Sequence, residues 1–105
     1  MSVMFSIVYI TAGSMDEAKS IGRVLVEERL AACVNIFPIT SIYRWKDKID
    51  EGGEFGMFVK TGTDKVKDIE KRVKQLHSYE VPCVISFKID SGSEDYLKWI
   101  KECVT

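Results

Sequence analysis

Residues 3–11 are apolar or β-branched at nearly every position, with Ser6 the main exception. A strand with one wet face alternates apolar and polar side chains, so an unbroken run predicts a strand buried on both faces. This is a severe demand on a chain of 105 residues. A chain of that length fills one core and has little left to cover a second sheet face. The sequence is accordingly read as one domain, residues 1–105.

After the run come Ala12-Gly13 and then Ser14-Met15-Asp16-Glu17, an S-x-x-E capping box. In such a box Ser14 accepts from the Glu17 N–H and the Glu17 carboxylate reaches back to the Ser14 N–H. Ala18, Ile21, Gly22 and Leu25 fall on one stripe, which predicts a helix over 15–29. A second extended stretch covers 32–45 and contains Pro38. Proline has no N–H for a ladder, so this strand is expected to bend or bulge there, or to lie at an edge. A polar turn at 46–48 and a flexible Gly52-Gly53 precede a returning hairpin strand over 55–60. Val66, Ile69, Val73 and Leu76 recur at helical spacing, and 83–89 alternates with period two. A cap at Ser91 or Ser93 opens a last helix carrying Tyr96, Leu97, Trp99, Ile100 and Cys103.

The order is β-α-β-β-α-β with an added C-terminal helix. Right-handed crossovers put both main helices on one face of a four-stranded antiparallel sheet, the ferredoxin-like α+β architecture. The other face stays bare although the first strand is apolar on that side too. A second copy of the chain is the economical cover, with the long middle hairpin as the pairing arm, so a homo-oligomer is expected.

Fifteen basic and sixteen acidic side chains give a net charge of −1, which argues against a nucleic-acid binder. No apolar run approaches the roughly 20 residues that span a bilayer, so no membrane partner is expected. The first ten residues carry neither a basic leader nor a cleavage site of small residues. Cys33, Cys83 and Cys103 are odd in number and widely spaced, which fits free thiols in a reducing compartment. The expected location is cytoplasmic.

The chain has no P-loop, G-x-G-x-x-G, G-x-S-x-G or H-E-x-x-H, and no enzymatic activity or organic cofactor is expected. No Cys-x-x-Cys follows the first strand, where ferredoxin-like copper chaperones hold Cu(I), and strands 3–11 and 83–89 do not match the aromatic-and-basic pattern of an RNA-binding sheet. An acylphosphatase-type anion loop would need an arginine between Thr11 and Ser14, and none is there. His77 is the one histidine. Imidazole suits copper and zinc, but a lone His needs Cys33, Cys83, a carboxylate such as Glu54 or Glu80, or a second subunit. The plainer reading, a helix-terminal His satisfied by backbone carbonyls, is favoured by the residues themselves. Cys33 lies where helix meets strand and reads as a small buried hydrophobe, as do Cys83 and Cys103. Tyr43, Arg44 and Trp45 end the extended arm, where they fit a subunit interface or a ligand cleft. Lys60 closes a strand and could hold an anion, Trp99 falls at packing spacing, and Glu80 precedes Val81-Pro82.

Several pieces recur together in one known family. They are Thr11-Ala12, the run from Arg29 through Cys33 to Ile36, Ser41-Ile42-Tyr43-Arg44-Trp45, Ile49, Glu54, Lys60-Thr61, His77-Ser78-Tyr79-Glu80-Val81-Pro82, and Tyr96-Leu97 with Trp99-Ile100. In this order and spacing the chain resembles the CutA1 divalent-cation-tolerance proteins from Val8 to Val104. The resemblance implies a ferredoxin-like subunit in a homotrimer whose hairpins pair between copies, and a part in tolerance of copper and other divalent cations. It implies Cu(II) or another divalent cation weakly bound through His77 and Cys33. It also implies an inter-subunit cleft lined by Tyr43, Trp45, Glu54, Lys60, Tyr79, Glu80 and Trp99. The trimer is similar to PII signalling proteins, so the alternative function is a signalling module binding a small anion near Lys60, Tyr79 and Trp45. Many bacterial members have Cys where this chain has Ile10, and some have a second His at Leu76. Gly13 and Ser78 replace common prolines, and Asp47 replaces the usual turn glycine.

Overall fold

A computed structural model describes residues 4–104. Its elements are β1 (Phe5–Ala12), α1 (Met15–Glu27), β2 (Cys33–Trp45), β3 (Lys48–Gly62), α2 (Val66–Leu76), β4 (Val84–Lys88) and α3 (Glu94–Cys103). The four strands form one antiparallel sheet in the order β2-β3-β1-β4, which is the expected ferredoxin-like arrangement. Residue 3, where the first strand was expected to begin, lies outside the described residues.

One sheet face is fully covered. Val8, Ile10 and Ala12 of β1 and Met57 and Val59 of β3 meet Ala18, Ile21 and Leu25 of α1 and Ile69 and Val73 of α2. Each is essentially without solvent contact, and burying a large aliphatic side chain this way contributes roughly 1.5–3 kcal/mol. The buried stripe of α1 is the one read from the sequence. Only half of its capping box forms, however. Ser14 Oγ accepts from the Glu17 N–H at 3.1 Å, but the Glu17 carboxylate turns away to the Ser78 N–H at 2.8 Å and the Ser78 hydroxyl at 3.0 Å. The helix also stops before residue 29, because Arg29 takes φ 60° and the N–H groups of Arg29 and Leu30 return to the carbonyls of Val26 and Leu25. That left-handed reversal closes a helix C-terminus. The last helix is capped by Ser93, whose hydroxyl accepts from the Tyr96 N–H.

The middle hairpin differs most from expectation. Its ladder is unbroken from Cys33 opposite Lys60 to Trp45 opposite Lys48, with Pro38 opposite Phe55 and no bulge. Pro38 is tolerated because β2 is an edge strand, the third of the outcomes open to it. Gly52-Gly53, expected as a flexible break, lies inside β3 opposite Ser41 and Thr40. A Cβ at either glycine would meet nothing within 4 Å, so this part of the strand needs no side chain to be held. β1 pairs with β3 only over residues 55–62, so the rest of the hairpin projects as a two-stranded arm from a molecule 47 Å long.

The arm turns through Lys46 and Asp47, both at positive φ (50° and 65°). Two such residues make a type I′ turn, which favours glycine at the second position. Asp47→Gly is expected to stabilise the fold by about 0.5 kcal/mol, the relief at φ being partly offset by a more flexible unfolded chain. Urea midpoints of the two proteins test this, and a lower midpoint for the glycine variant would contradict it.

The opposite sheet face is bare. Directly opposed residues share a face, which brings Ile7, Tyr9, Phe37, Phe58, Ile85 and Phe87 together there. Phe58 lies 4.9 Å from Phe37, 5.8 Å from Tyr9 and 6.4 Å from Phe87, centroid to centroid, and Ile85 remains 59% exposed. The apolar face of β4 read from the sequence therefore points outward.

Candidate functional site

The chain leaves α2 at His77, whose backbone is extended (φ −77°, ψ 142°) and whose ring is buried. Nε2 donates to the Thr11 carbonyl at 2.7 Å, and Nδ1 accepts from the Tyr79 N–H at 3.0 Å. A carbonyl can only accept and an amide N–H can only donate, so the ring is the neutral Nε2–H tautomer. Glu17 completes the joint through Ser78 and comes within 3.8 Å of Nδ1. The loop after α2 is thereby tied to the end of β1 and the start of α1.

Burial opposes ionisation of Glu17, yet bonds from the Ser78 hydroxyl and N–H, the neighbouring His77 ring and the Gly13 N–H hold its carboxyl below the usual range. A carboxyl depressed in the folded state contributes stability above its unfolded value of about 4.3. That contribution is lost as the pH falls through the lower folded value. Glu17→Gln is therefore expected to flatten the acid limb of stability below about pH 4.5. Urea midpoints across that range test this, and parallel acid limbs would contradict it.

Fixing the loop aims Tyr79. Its hydroxyl donates to Glu54 Oε2 at 2.8 Å, and its ring lies 4.7 Å from that of His77. Burial first, and then the Glu54 carboxylate, push the phenol up to about 12, so Tyr79 stays a donor. The pair forms one wall of a cleft of about 610 Å³ that runs along the arm from Glu54 toward Trp45, beside the loop after α2. The lining combines three aromatic rings, Tyr43, Trp45 and Tyr79, with three carboxylates, Asp50, Glu54 and Glu80. No basic side chain lines it, and among the described residues no Lys or Arg pairs with those carboxylates. Cys83, expected in the core, is half-buried at the cleft wall. Burial raises its thiol, a Thr11 hydrogen bond works the other way, and Glu54 adds to the rise, so it is no activated nucleophile.

The cleft brings together Tyr43, Trp45, Glu54, Tyr79 and Glu80 of the residues singled out in the sequence. Within one subunit, Lys60, Trp99 and Cys33 lie away from it. Lys60 faces Ile7 and Cys33 in the ladder, four residues along β1 from Thr11, or about 13 Å at strand rise. Its ammonium contacts the Tyr96 hydroxyl at 3.2 Å and lies 5.3 Å from the centroid of that ring, which in turn packs 5.5 Å from Trp99. His77 and Cys33 are thus not joined within one subunit, and both imidazole nitrogens are already engaged. Among the described residues no group of three His, Cys, Asp or Glu side chains is placed to hold a metal ion. Asp50 escaped the sequence reading. It stands opposite Tyr43, a pairing that follows once the turn is fixed at Lys46-Asp47.

The model of the CutA1 divalent ion tolerance proteins matches residues 6–103 of this chain. The chain belongs to that family. It is 46% identical over 101 residues to the divalent-cation tolerance protein CutA of Archaeoglobus fulgidus, covering 96% of this chain and 99% of that one. It is also 46% identical over 100 residues to the Thermus thermophilus protein of the same name, covering 94% and 97%. The solved structure of the Archaeoglobus fulgidus protein superposes with a TM-score of 0.96 at 45% identity over 97% of this chain and 100% of that one. That relative is described as periplasmic, so the expected cytoplasmic location draws no support from it. No helix among the described residues is long and apolar enough to cross a membrane. The family is named for tolerance of divalent cations and not for a reaction.

Proposed function

We propose that this CutA1-family chain is a divalent-cation-binding protein of metal-ion homeostasis, working in the cytoplasm as a homotrimer and without enzymatic chemistry. Cu(II) or another divalent cation binds weakly at the acidic cleft. The observation that carries this reading is the lining, with Asp50, Glu54 and Glu80 and no basic side chain. Carboxylates supply hard oxygen donors, and among first-row divalent ions Cu(II) binds most tightly to a given N/O set. Because the donors do not converge within one subunit, the affinity of a single chain is low.

The bare aromatic face and the projecting arm support assembly, since monomers rarely leave large apolar patches in water. The number three comes from the family resemblance. A small anion is the weaker reading, because Lys60 is engaged with Tyr96 and the cleft would repel negative charge.

Titration of metal-free, reduced protein with Cu(II) against a competing chelator tests the proposal, with the mass of the assembly measured on the same samples. The expected result is weak saturable uptake by a trimer, reduced about tenfold in Glu54→Gln at unchanged mass. Uptake that is absent, or indifferent to Glu54, would overturn it.

A further inference from the structure

We propose that His77 and Glu17 form a proton-operated clamp on the loop after α2. With the imidazole neutral the clamp is shut and Tyr79 is held on Glu54. With a proton on Nδ1 the Tyr79 N–H is expelled and the hydroxyl leaves Glu54. In the shut state Nε2–H donates to the Thr11 carbonyl at 2.7 Å and Nδ1 accepts from the Tyr79 N–H at 3.0 Å. A protonated Nδ1 is a donor, so it would face a second donor at that distance. The imidazole side chain has no solvent contact, and its Nδ1 lone pair is covered by the N–H that must leave. Entry of a proton from water and opening of the loop are therefore one event, which makes the ring a two-state device.

A partner for the new charge is already in place. Glu17 Oε2 lies 3.8 Å from Nδ1, beyond a hydrogen bond but near enough to accept one after a small turn of the carboxylate. The same oxygen accepts from the Ser78 N–H at 2.8 Å, so that turn loosens a second tie on the loop. Because the carboxyl is held below the usual range, the anion persists in mild acid. The C-terminal end of α2, which His77 caps, also favours a cation. Burial and the Tyr79 N–H favour the neutral ring. Of the other groups around the ring, β1 presents the Thr11 carbonyl, and the Thr11 side chain bonds to the Cys83 thiol. The loop presents the Tyr79 phenol with Glu54 of β3 behind it, and the last turn of α2 carries Lys74, paired with Glu70 at 3.5 Å. Tyr79 is closely seated, since a Cβ at Gly13 would lie 3.1 Å from its hydroxyl, so a shift of the loop is passed on to that hydroxyl. The clamp needs no ion in the cleft and stands or falls apart from the divalent-cation reading.

The test is NMR of the assembled, nitrogen-15-labelled full-length protein from about pH 8 to about pH 5, above the range in which carboxylates are lost. At the upper end the ring should be the Nε2–H tautomer, and at the lower end an imidazolium. Across that change the Tyr79 amide should lose about tenfold or more of its protection from hydrogen exchange, while the amides of Val8 and Ile10 keep theirs. Glu17→Gln, which removes the waiting anion, should move both changes together to lower pH. Asp16→Asn, which removes an exposed charge one residue away, should leave them in place. Crystals equilibrated at the two ends of the range should show the Tyr79 hydroxyl on Glu54 only at the upper one. An Nδ1–H tautomer at about pH 8, or a ring still neutral at about pH 5, would overturn the proposal. So would an imidazolium with Tyr79 still protected and on Glu54, or a transition indifferent to Glu17→Gln.

Discussion

Replacing His77 with alanine is expected to destabilise the protein by about 2–4 kcal/mol while leaving cation uptake per folded chain unchanged. The ring is buried, and its two nitrogens satisfy the Thr11 carbonyl and the Tyr79 N–H. Truncation leaves both groups without a partner, each at a cost of roughly 1–3 kcal/mol, and opens a void where the imidazole stood. Tyr79 then loses the support that aims its hydroxyl at Glu54. Urea unfolding gives the stability, and the chelator competition gives the uptake. A variant of near-normal stability that no longer takes up copper would make His77 a ligand and not a strut.

A second large effect is expected from Gly56→Ala. An added Cβ would lie 2.6 Å from Phe37 Cε2, 2.9 Å from Phe37 Cζ and 3.2 Å from Tyr9 Cε1. Relief requires the Phe37 ring to move, but that ring packs edge-on against Phe58 at 4.9 Å and stacks near Tyr9 at 6.5 Å. Overpacking of this kind costs about 1–3 kcal/mol. Because the displaced rings form the bare sheet face, the substitution should also weaken assembly. The check is the thermal midpoint and the mass at two protein concentrations, the variant showing the steeper concentration dependence. An unchanged midpoint and mass would mean that the aromatic face is neither tightly packed nor part of an interface.

The fold was legible wherever a local pattern fixed the outcome. The α1 stripe, the Ser14 cap and the spacing of Val66, Ile69 and Val73 each follow from backbone geometry within a few residues. Continuous apolarity in β1 also carried real information, since both of its faces bear side chains that need covering. The glycines misled. Gly52-Gly53 reads locally as a break, yet thirteen-residue β2 holds it in register from across the hairpin. The other half of the capping box failed for a related reason, because Glu17 finds a better partner in Ser78, 61 residues away.

The candidate site was legible as a set of residue types but not as a place. Tyr79 meeting Glu54, Asp50 standing opposite Tyr43, and Lys60 turning to Tyr96 are all long-range or register-dependent pairings. No periodicity in the chain encodes them. Charge balance over the whole molecule hid a cleft with three carboxylates and no lysine or arginine, because the compensating cations lie elsewhere. His77 drew attention as the one imidazole, while the plainer reading, a ring satisfied by backbone groups, matches its contacts.

The measurement that tests the central claim most directly is an anomalous difference map at the copper edge from crystals soaked in Cu(II). The account predicts a peak in the cleft beside the carboxylates of Glu54, Asp50 or Glu80, absent from Glu54→Gln crystals. Copper coordinated by the His77 ring together with Cys33, with the cleft empty, would contradict it.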